Sequence, residues 1–253
     1  MGTANHYSHL DYRKLIAWDK RLAREWAFLE RPLADGPTRR LLDLGSGTGE
    51  HARFFAARGF DVVGVDVSDA MMAQAQESGI PEGVELIMGD LAHVDVVVSG
   101  QFGAAICLGN TVAHITDRET LVQMFVGVRT VLLPGAPFVL QMLNYEHLVH
   151  TGTRALPLTF IEDEQGEAIF MRVMTFKPDG RVVFSPTLLR YRPDQEPPIE
   201  VASSHSVDLH GWTHADVTVA LERAGFADWR LFGAMADVPF DALGSHDLVV
   251  VAR

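Results

Sequence analysis

The 253-residue chain predicts an α/β fold with a doubly wound parallel sheet, on three observations. Short apolar runs of strand length alternate with helix-period segments as far as residue 143. A glycine-rich turn, Gly45-Ser46-Gly47-Thr48-Gly49, joins the first of those strands to the helix after it. Beyond residue 143 the rhythm changes to longer β-rich stretches, and helix and strand alternation resumes only near the C-terminus.

Taken in order, residues 12–33 place Leu15, Trp18, Leu22, Trp26 and Leu29 at spacings of three and four, which predicts an amphipathic helix ending near Pro32. Strands follow at 40–44, 61–65, 84–88, 103–108 and 137–142, with helices at 50–57, 69–77 and 118–131 between them. Strands that read as continuous apolar runs are buried on both faces, and right-handed βαβ crossovers then give a parallel sheet. In the next region, 168–176, 181–191 and 200–209 read as strands, and Lys177-Pro178-Asp179-Gly180 predicts a hairpin. A helix over 213–224, capped by Thr213 and closed by Gly225, precedes two last strands at 228–232 and 247–252. The expected organisation is an N-terminal helical cap (1–37), a seven-stranded sheet domain (38–143 and 212–253) and an antiparallel insert after the fifth strand (144–211) that faces the substrate.

Composition narrows the function classes. Lys and Arg number 21 against 33 Asp and Glu, a net charge of −12 that repels phosphate backbones and anionic lipid, so neither nucleic acid nor membrane is an expected partner. No apolar run reaches the ~18 residues of a spanning helix. The single cysteine, Cys107, can form neither an internal disulfide nor a multi-thiolate metal site, and the polar residues 1–9 contain no signal-peptide core. A cytoplasmic monomer or homodimer acting on a small molecule is expected. The eleven histidines show no tight ligand spacing, so no metal is expected.

The glycine turn lets a ligand approach main-chain N–H groups at a helix N-terminus. It is not a dinucleotide fingerprint, because the third glycine, Gly49, comes one residue early and the carboxylate of Glu50 stands where the last glycine belongs. A phosphate-binding Gly-Lys-Ser or Gly-Lys-Thr is absent from the chain. The second strand ends in Asp66, 21 residues after Gly45, where such folds bind ribose hydroxyls, with Val67 beside it. Met71, with its polarisable thioether, can lie over a purine, or it belongs to the core. The third strand ends at Asp90-Leu91, a second carboxylate suited to an exocyclic amine.

Glycine loop, ribose acid, adenine acid and apolar cover, each at the C-terminal end of a strand, together resemble the class I S-adenosylmethionine-dependent methyltransferases over residues 38–143 and 211–253. The resemblance implies a Rossmann-like seven-stranded sheet and S-adenosylmethionine as cofactor, converted to S-adenosylhomocysteine. It assigns Gly45, Gly47 and Gly49 to the methionyl part, Asp66 to the ribose and Asp90 to the adenine amine, with Val67, Met71, Leu91 and Leu108 around them. A leading segment that folds over the cofactor suggests Tyr12, Trp18 and either Arg21 or Arg24, while Trp18 and Trp26 can equally form a buried face.

The fourth strand runs into Leu108-Gly109-Asn110-Thr111-Val112-Ala113-His114 and the fifth into Asn144-Tyr145-Glu146, which resemble the Leu-Gly-Asn-Ser-x-x-His and Asn-Tyr-Asp motifs of glycine and sarcosine N-methyltransferases. In the glycine-using enzymes of that branch an arginine before the Asn-Tyr pair holds the substrate carboxylate; here that position is Leu143. Loss of a bidentate fork points away from glycine as acceptor, unless Arg154, Arg172 or Arg190 supplies a relocated anchor. The expected acceptor is a nitrogen of a small molecule, with an oxygen acceptor or a non-catalytic cofactor-binding protein as alternatives. Asn110 would position the acceptor and Asn144 with Tyr145 would form the far wall. His114 would orient or deprotonate the acceptor, or else hold its own loop through a backbone carbonyl.

Overall fold

A computed structural model describes residues 12–163 and 165–253. The N-terminal helical segment is interrupted at Ile16 and Ala17 into α1 (Tyr12–Leu15) and α2 (Trp18–Ala34). α2 runs two residues past Pro32 and ends at Ala34, just before the loop at 35–37. The elements that follow are β1 (Arg40–Leu44), α3 (Glu50–Ala56), β2 (Asp61–Asp66), α4 (Asp69–Glu77), β3 (Val84–Met88), α5 (Val94–Val97) and β4 (Ala104–Cys107). Then come α6 (Arg118–Val131), β5 (Phe138–Leu143) and α7 (Tyr145–Thr151).

These strands form one seven-stranded sheet with β11 (Trp229–Phe232) and β12 (Asp247–Ala252), in the order β11-β12-β5-β4-β1-β2-β3. β1 to β5 run parallel; β12 lies antiparallel between β5 and β11. The alternation of a strand's side chains divides the core. Leu41, Val62 and Ile106 pack with Leu29, Leu33 and Phe55 of α2 and α3 on one face. Leu42, Val63 and Ala105 pack on the other, against Phe125 and Val128 of α6 and Val217 and Leu221 of α8 (His214–Arg223). The order of the strands reverses between β1 and β4, and a crevice opens there above their C-terminal ends, the usual ligand position in such sheets.

A second, antiparallel sheet contains β6 (Thr159–Asp163), β7 (Gly166–Phe176), β8 (Arg181–Tyr191), β9 (Ile199–Ser204) and β10 (Val207–His210). The single strand expected at 200–209 is two strands, both paired along one edge of β8 and separated at His205 and Ser206. β6 was not legible as a strand, since it is a half-buried edge without a continuous apolar run. No described helix is long and apolar enough to cross a membrane.

The sheet's packing rests on aromatic contacts at its centre. Phe138 is 1% exposed and meets Phe125 edge-on with ring centroids 5.6 Å apart, and Phe226 at 5.8 Å. Phe138→Ala is expected to cost about 3–5 kcal/mol of unfolding free energy, measured by chemical denaturation, because it leaves a cavity among rings that cannot collapse.

Candidate active site

The glycine loop is held by its neighbour strand. Gly45 N–H and Ser46 N–H both donate to the Val65 carbonyl, at 2.8 and 3.1 Å, while Gly47 N–H donates to Asp66 Oδ2 at 2.8 Å. Asp66 Oδ1 accepts from Ser68 N–H at 2.9 Å, so the carboxylate is oriented by backbone before any ligand arrives. Burial raises the Asp66 carboxyl above its ordinary range, and the Ser68 and Gly47 amides oppose that shift.

Space requires one glycine of the loop and leaves another open. A Cβ on Gly45, where φ is +76°, would lie 2.3 Å from Thr111 Cγ2. Gly47, at φ +53°, would meet nothing within 4 Å, so its open face forms a cradle for a ligand. Gly49 is the left-handed N-cap residue of α3 and lies outside the cavity lining. Glu50 pairs with Arg13 at 2.7 Å and Arg53 at 3.4 Å, which ties α1 to α3.

A cavity of about 260 Å³ lies over this loop. One end is walled by Asp66, Val67, Met71, Asp90 and Leu91, from the ends of β2 and β3 and the start of α4. Asp90 Oδ1 caps a short 3₁₀ turn through Ala92 N–H at 2.9 Å, and Ser68 caps α4 through Met71 N–H at 3.3 Å, so the local caps orient both segments. Leu108, Gly109, Thr111, His114 and Ile115 close the side at β4. Trp18, Arg21 and His51 close the remaining side; Arg24 is exposed, outside the lining, and the Tyr12 side chain falls outside the described residues.

Beneath that side lies a buried charged cluster that sequence reasoning missed. Glu25, 3% exposed, accepts from Arg21 Nε at 2.8 Å through Oε1, and its Oε2 lies 2.6 Å from His51 Nε2. Trp18 meets His51 edge-on at 5.6 Å, and the Arg21 guanidinium lies 5.0 Å from the Trp18 ring centroid. Burial alone would raise the Glu25 carboxyl, but hydrogen bonding and charge from His51, with Arg21, outweigh it and hold the pKa down at about 2. The available signal was Glu25 itself, a carboxylate at helical spacing between Leu22 and Leu29 on a face otherwise apolar. Asp43, 2% exposed in β1, is pushed up to about 6 by burial, with His51 opposing and Asp66 and Glu25 adding to the rise.

The expected acceptor residues are placed differently from one another. His114 lines the cavity. Asn110, at φ +70°, donates from Nδ2 to the Tyr145 hydroxyl at 2.9 Å and accepts from Leu143 N–H at 3.1 Å. Tyr145 is 2% exposed, with burial raising its pKa to about 12, and neither it nor Asn110 lines the cavity. Asn144 points elsewhere: it caps α7 and donates from Nδ2 to the Ala242 and Ser245 carbonyls at 2.9 and 2.8 Å. Its amide therefore pins the loop before β12 instead of forming a wall of the crevice.

The three insert arginines also have partners of their own. Arg154 donates to the Met174 carbonyl at 3.2 Å and to Thr175 Oγ1 at 3.0 Å. Arg172 donates to the Pro157 carbonyl at 3.1 Å, and Arg190 forms a two-pronged pair with Asp163 at 2.8 Å on each prong. Cys107 is wholly buried, and burial followed by the nearby Asp43 charge pushes its thiol pKa far up, which removes it as a nucleophile. Among the described residues no group of three His, Cys, Asp or Glu could hold a metal ion.

The fold, the loop and the two strand-end acids outline a crevice of nucleoside-binding type. Residues 41–135 match the family model described as a methyltransferase domain. A glycine/sarcosine N-methyltransferase of Halorhodospira halochloris is 32% identical over 144 residues, which cover 54% of this chain and 52% of that protein. The solved CcbJ methyltransferase from Streptomyces caelestis has a TM-score of 0.69 at 24% identity, covering 91% of this chain and 88% of its own. S-adenosylmethionine-bound CalS10, an amino pentose methyltransferase from Micromonospora echinaspora, has a TM-score of 0.69 at 21% identity, covering 96% and 94%. The chain spans about half the length of the curated relatives it matches.

Residues 41–135 thus match a methyltransferase domain, on a fold shared with S-adenosylmethionine-dependent methyltransferases, whose cofactor is S-adenosylmethionine. The residues present fit it. Gly47 leaves a cradle that a Cβ would fill, and Ser46, which lines the cavity, has a buried Oγ with no hydrogen-bond partner among the described residues.

Two outcomes follow from this geometry. Asp66→Ala is expected to weaken S-adenosylhomocysteine binding by at least about tenfold in calorimetry while circular dichroism stays unchanged, since a charge-assisted hydrogen bond is worth about 1.5–3 kcal/mol. Asp43 is protonated in both native and unfolded chains below pH ~4, and from there to about pH 6 only the unfolded chain ionises, so the native state loses stability as pH rises. The stability of Asp43→Asn relative to the parent should therefore rise by up to about 3 kcal/mol between pH 4 and 6 and level off above, measured by urea unfolding at each pH.

Proposed function

We propose that the protein transfers a methyl group from S-adenosylmethionine to a nitrogen of a small-molecule acceptor other than glycine. The observation that carries the second half is the arginine arrangement. Leu143 stands where the resemblance places a carboxylate-binding arginine, and Arg154, Arg172 and Arg190 are each engaged within the insert. A carboxylate brought to the β4 and β5 side of the crevice would lose water without gaining a fork. The H. halochloris relative bears the name of a nitrogen methyltransferase, and CalS10 that of an amino pentose methyltransferase, which supports a nitrogen acceptor.

The cofactor, when bound, supplies an electrophilic methyl on a sulfonium for in-line displacement. The chain's own contribution is alignment and exclusion of water, which reach ~7–11 kcal/mol in well-oriented systems, so a neutral amine needs no strong base. Asp66 and Asp90 hold the nucleoside, with Val67, Met71, Leu91 and Leu108 as apolar cover. His114 orients the acceptor or takes its proton. Asn110 and Tyr145 brace the loop that carries His114, through the 2.9 Å hydrogen bond between them. The insert of residues 144–211 shapes the acceptor's side, the role that long connections often have.

With purified protein and a panel of amines, amino sugars, phenols and glycine, S-adenosylhomocysteine should form with an amine or amino sugar and not with glycine. Ordinary-affinity turnover of glycine would sink the acceptor assignment, and no turnover of any member would favour a non-catalytic binding protein. His114→Gln is expected to lower kcat by no more than about tenfold for an amine; a fall of about 10²–10⁴ would favour an oxygen acceptor that requires a base.

A further inference from the structure

Glu25 is the acidic exception on the buried face of α2, and it lies between two side chains that line the cofactor cavity. We propose that Glu25 is a positioning residue for the cofactor's carboxylate end: its two oxygens hold the Arg21 guanidinium and the His51 imidazole at the cavity wall where that carboxylate docks. The inference rests on the methyltransferase reading above and extends it to two residues, Glu25 and His51, that the motif resemblance did not supply.

Topology places the three groups at the correct end. Asp90 ends the β3 side, Asp66 the β2 side and the glycine loop caps β1, so a ligand whose nucleoside meets the two acids extends its other end toward β4. Arg21 reaches that end: a Cβ on Gly109, just beyond β4, would lie 3.1 Å from Arg21 Nη2. His51 reaches it from the first turn of α3. Glu25 bridges them, one oxygen to Arg21 Nε at 2.8 Å and the other to His51 Nε2 at 2.6 Å. Trp18, edge-on to His51 and beneath the guanidinium, limits how either can turn.

Stability alone is a poor reason for this arrangement. A buried ion cluster costs desolvation that an apolar side chain avoids, and α2 already packs on α3 through Leu29, Leu33 and Phe55. What the carboxylate adds is direction: it fixes one edge of the guanidinium and one ring nitrogen of the imidazole, which preorganises both toward the cavity and reduces the ordering cost on binding.

The test is calorimetry on the full chain with two ligands, S-adenosylhomocysteine and 5′-methylthioadenosine, which share the nucleoside and the thioether sulfur while only the first has a carboxylate. Glu25→Gln should weaken S-adenosylhomocysteine by about tenfold or more, the size of one charge-assisted hydrogen bond, and alter 5′-methylthioadenosine by less than about twofold. Glu25→Asp, charged but too short to reach both partners, and Arg21→Gln should show the same selective loss, with near-ultraviolet circular dichroism verifying the fold. An equal loss for both ligands would mean a merely structural role and overturn the proposal. So would a selective loss in Arg21→Gln with both Glu25 variants unchanged, since Arg21 would then need no positioning. Parent protein that binds neither nucleoside would overturn the cofactor reading itself, an outcome distinct from the other two.

Discussion

Three hydrogen bonds between the glycine loop and the end of β2 set the rest of the site: Gly45 and Ser46 to the Val65 carbonyl, and Gly47 to the Asp66 carboxylate. They bring the loop's backbone and the Asp66 carboxylate into one rigid unit, so the same contact that terminates two strands also builds the cavity floor. The close approach imposes small residues around it. A side chain on Gly45 would strike Thr111, and one on Gly64 would come within 2.9 Å of Leu86 and Ser46. The glycines are thus spatial requirements of a crossing between β1, β2 and the turn after β4. Gly47, by contrast, faces open space in the cavity.

Charge is handled in opposite ways on the two sides of the crevice. Beside the glycine loop, Arg21, Glu25, His51 and Asp43 cluster together, with Glu25 held ionised and Asp43 raised to about 6. On the β5 side, the polar residues are consumed by the fold. Asn144 pins the loop before β12, Tyr145 and Asn110 satisfy each other, and Arg190 neutralises Asp163 within the second sheet. The charged groups therefore gather at one end of the crevice, and the other end is shaped by groups already paired within the fold. In that light the net charge of −12 says little about the substrate: Glu25 and Asp43 are buried within the fold, and Asp66 is held by the glycine loop.

The chain's periodicity was enough to specify all seven strands of the main sheet and most helices, because strand alternation and helical spacing are local properties written into consecutive residues. Glycine spacing, Asp66 and Asp90 were legible for a related reason, since each lies at the end of a strand whose position periodicity already determines. The break in the N-terminal helix at Ile16, the edge strand β6 and the division of 200–209 into two strands were not, because each depends on what the segment packs against.

Sequence by itself therefore determined the doubly wound fold, the cofactor class and the absence of the glycine-type arginine at Leu143. Tertiary structure alone decided which side chains face the cavity. Asn144 and Tyr145 carry a motif yet point into the protein, whereas Glu25 and His51 belong to no motif and meet across 26 residues of chain at 2.6 Å. The physical reason is that a buried charge must find its partner wherever packing brings one. That pairing is a property of two elements docked together, and neither element's own pattern contains it.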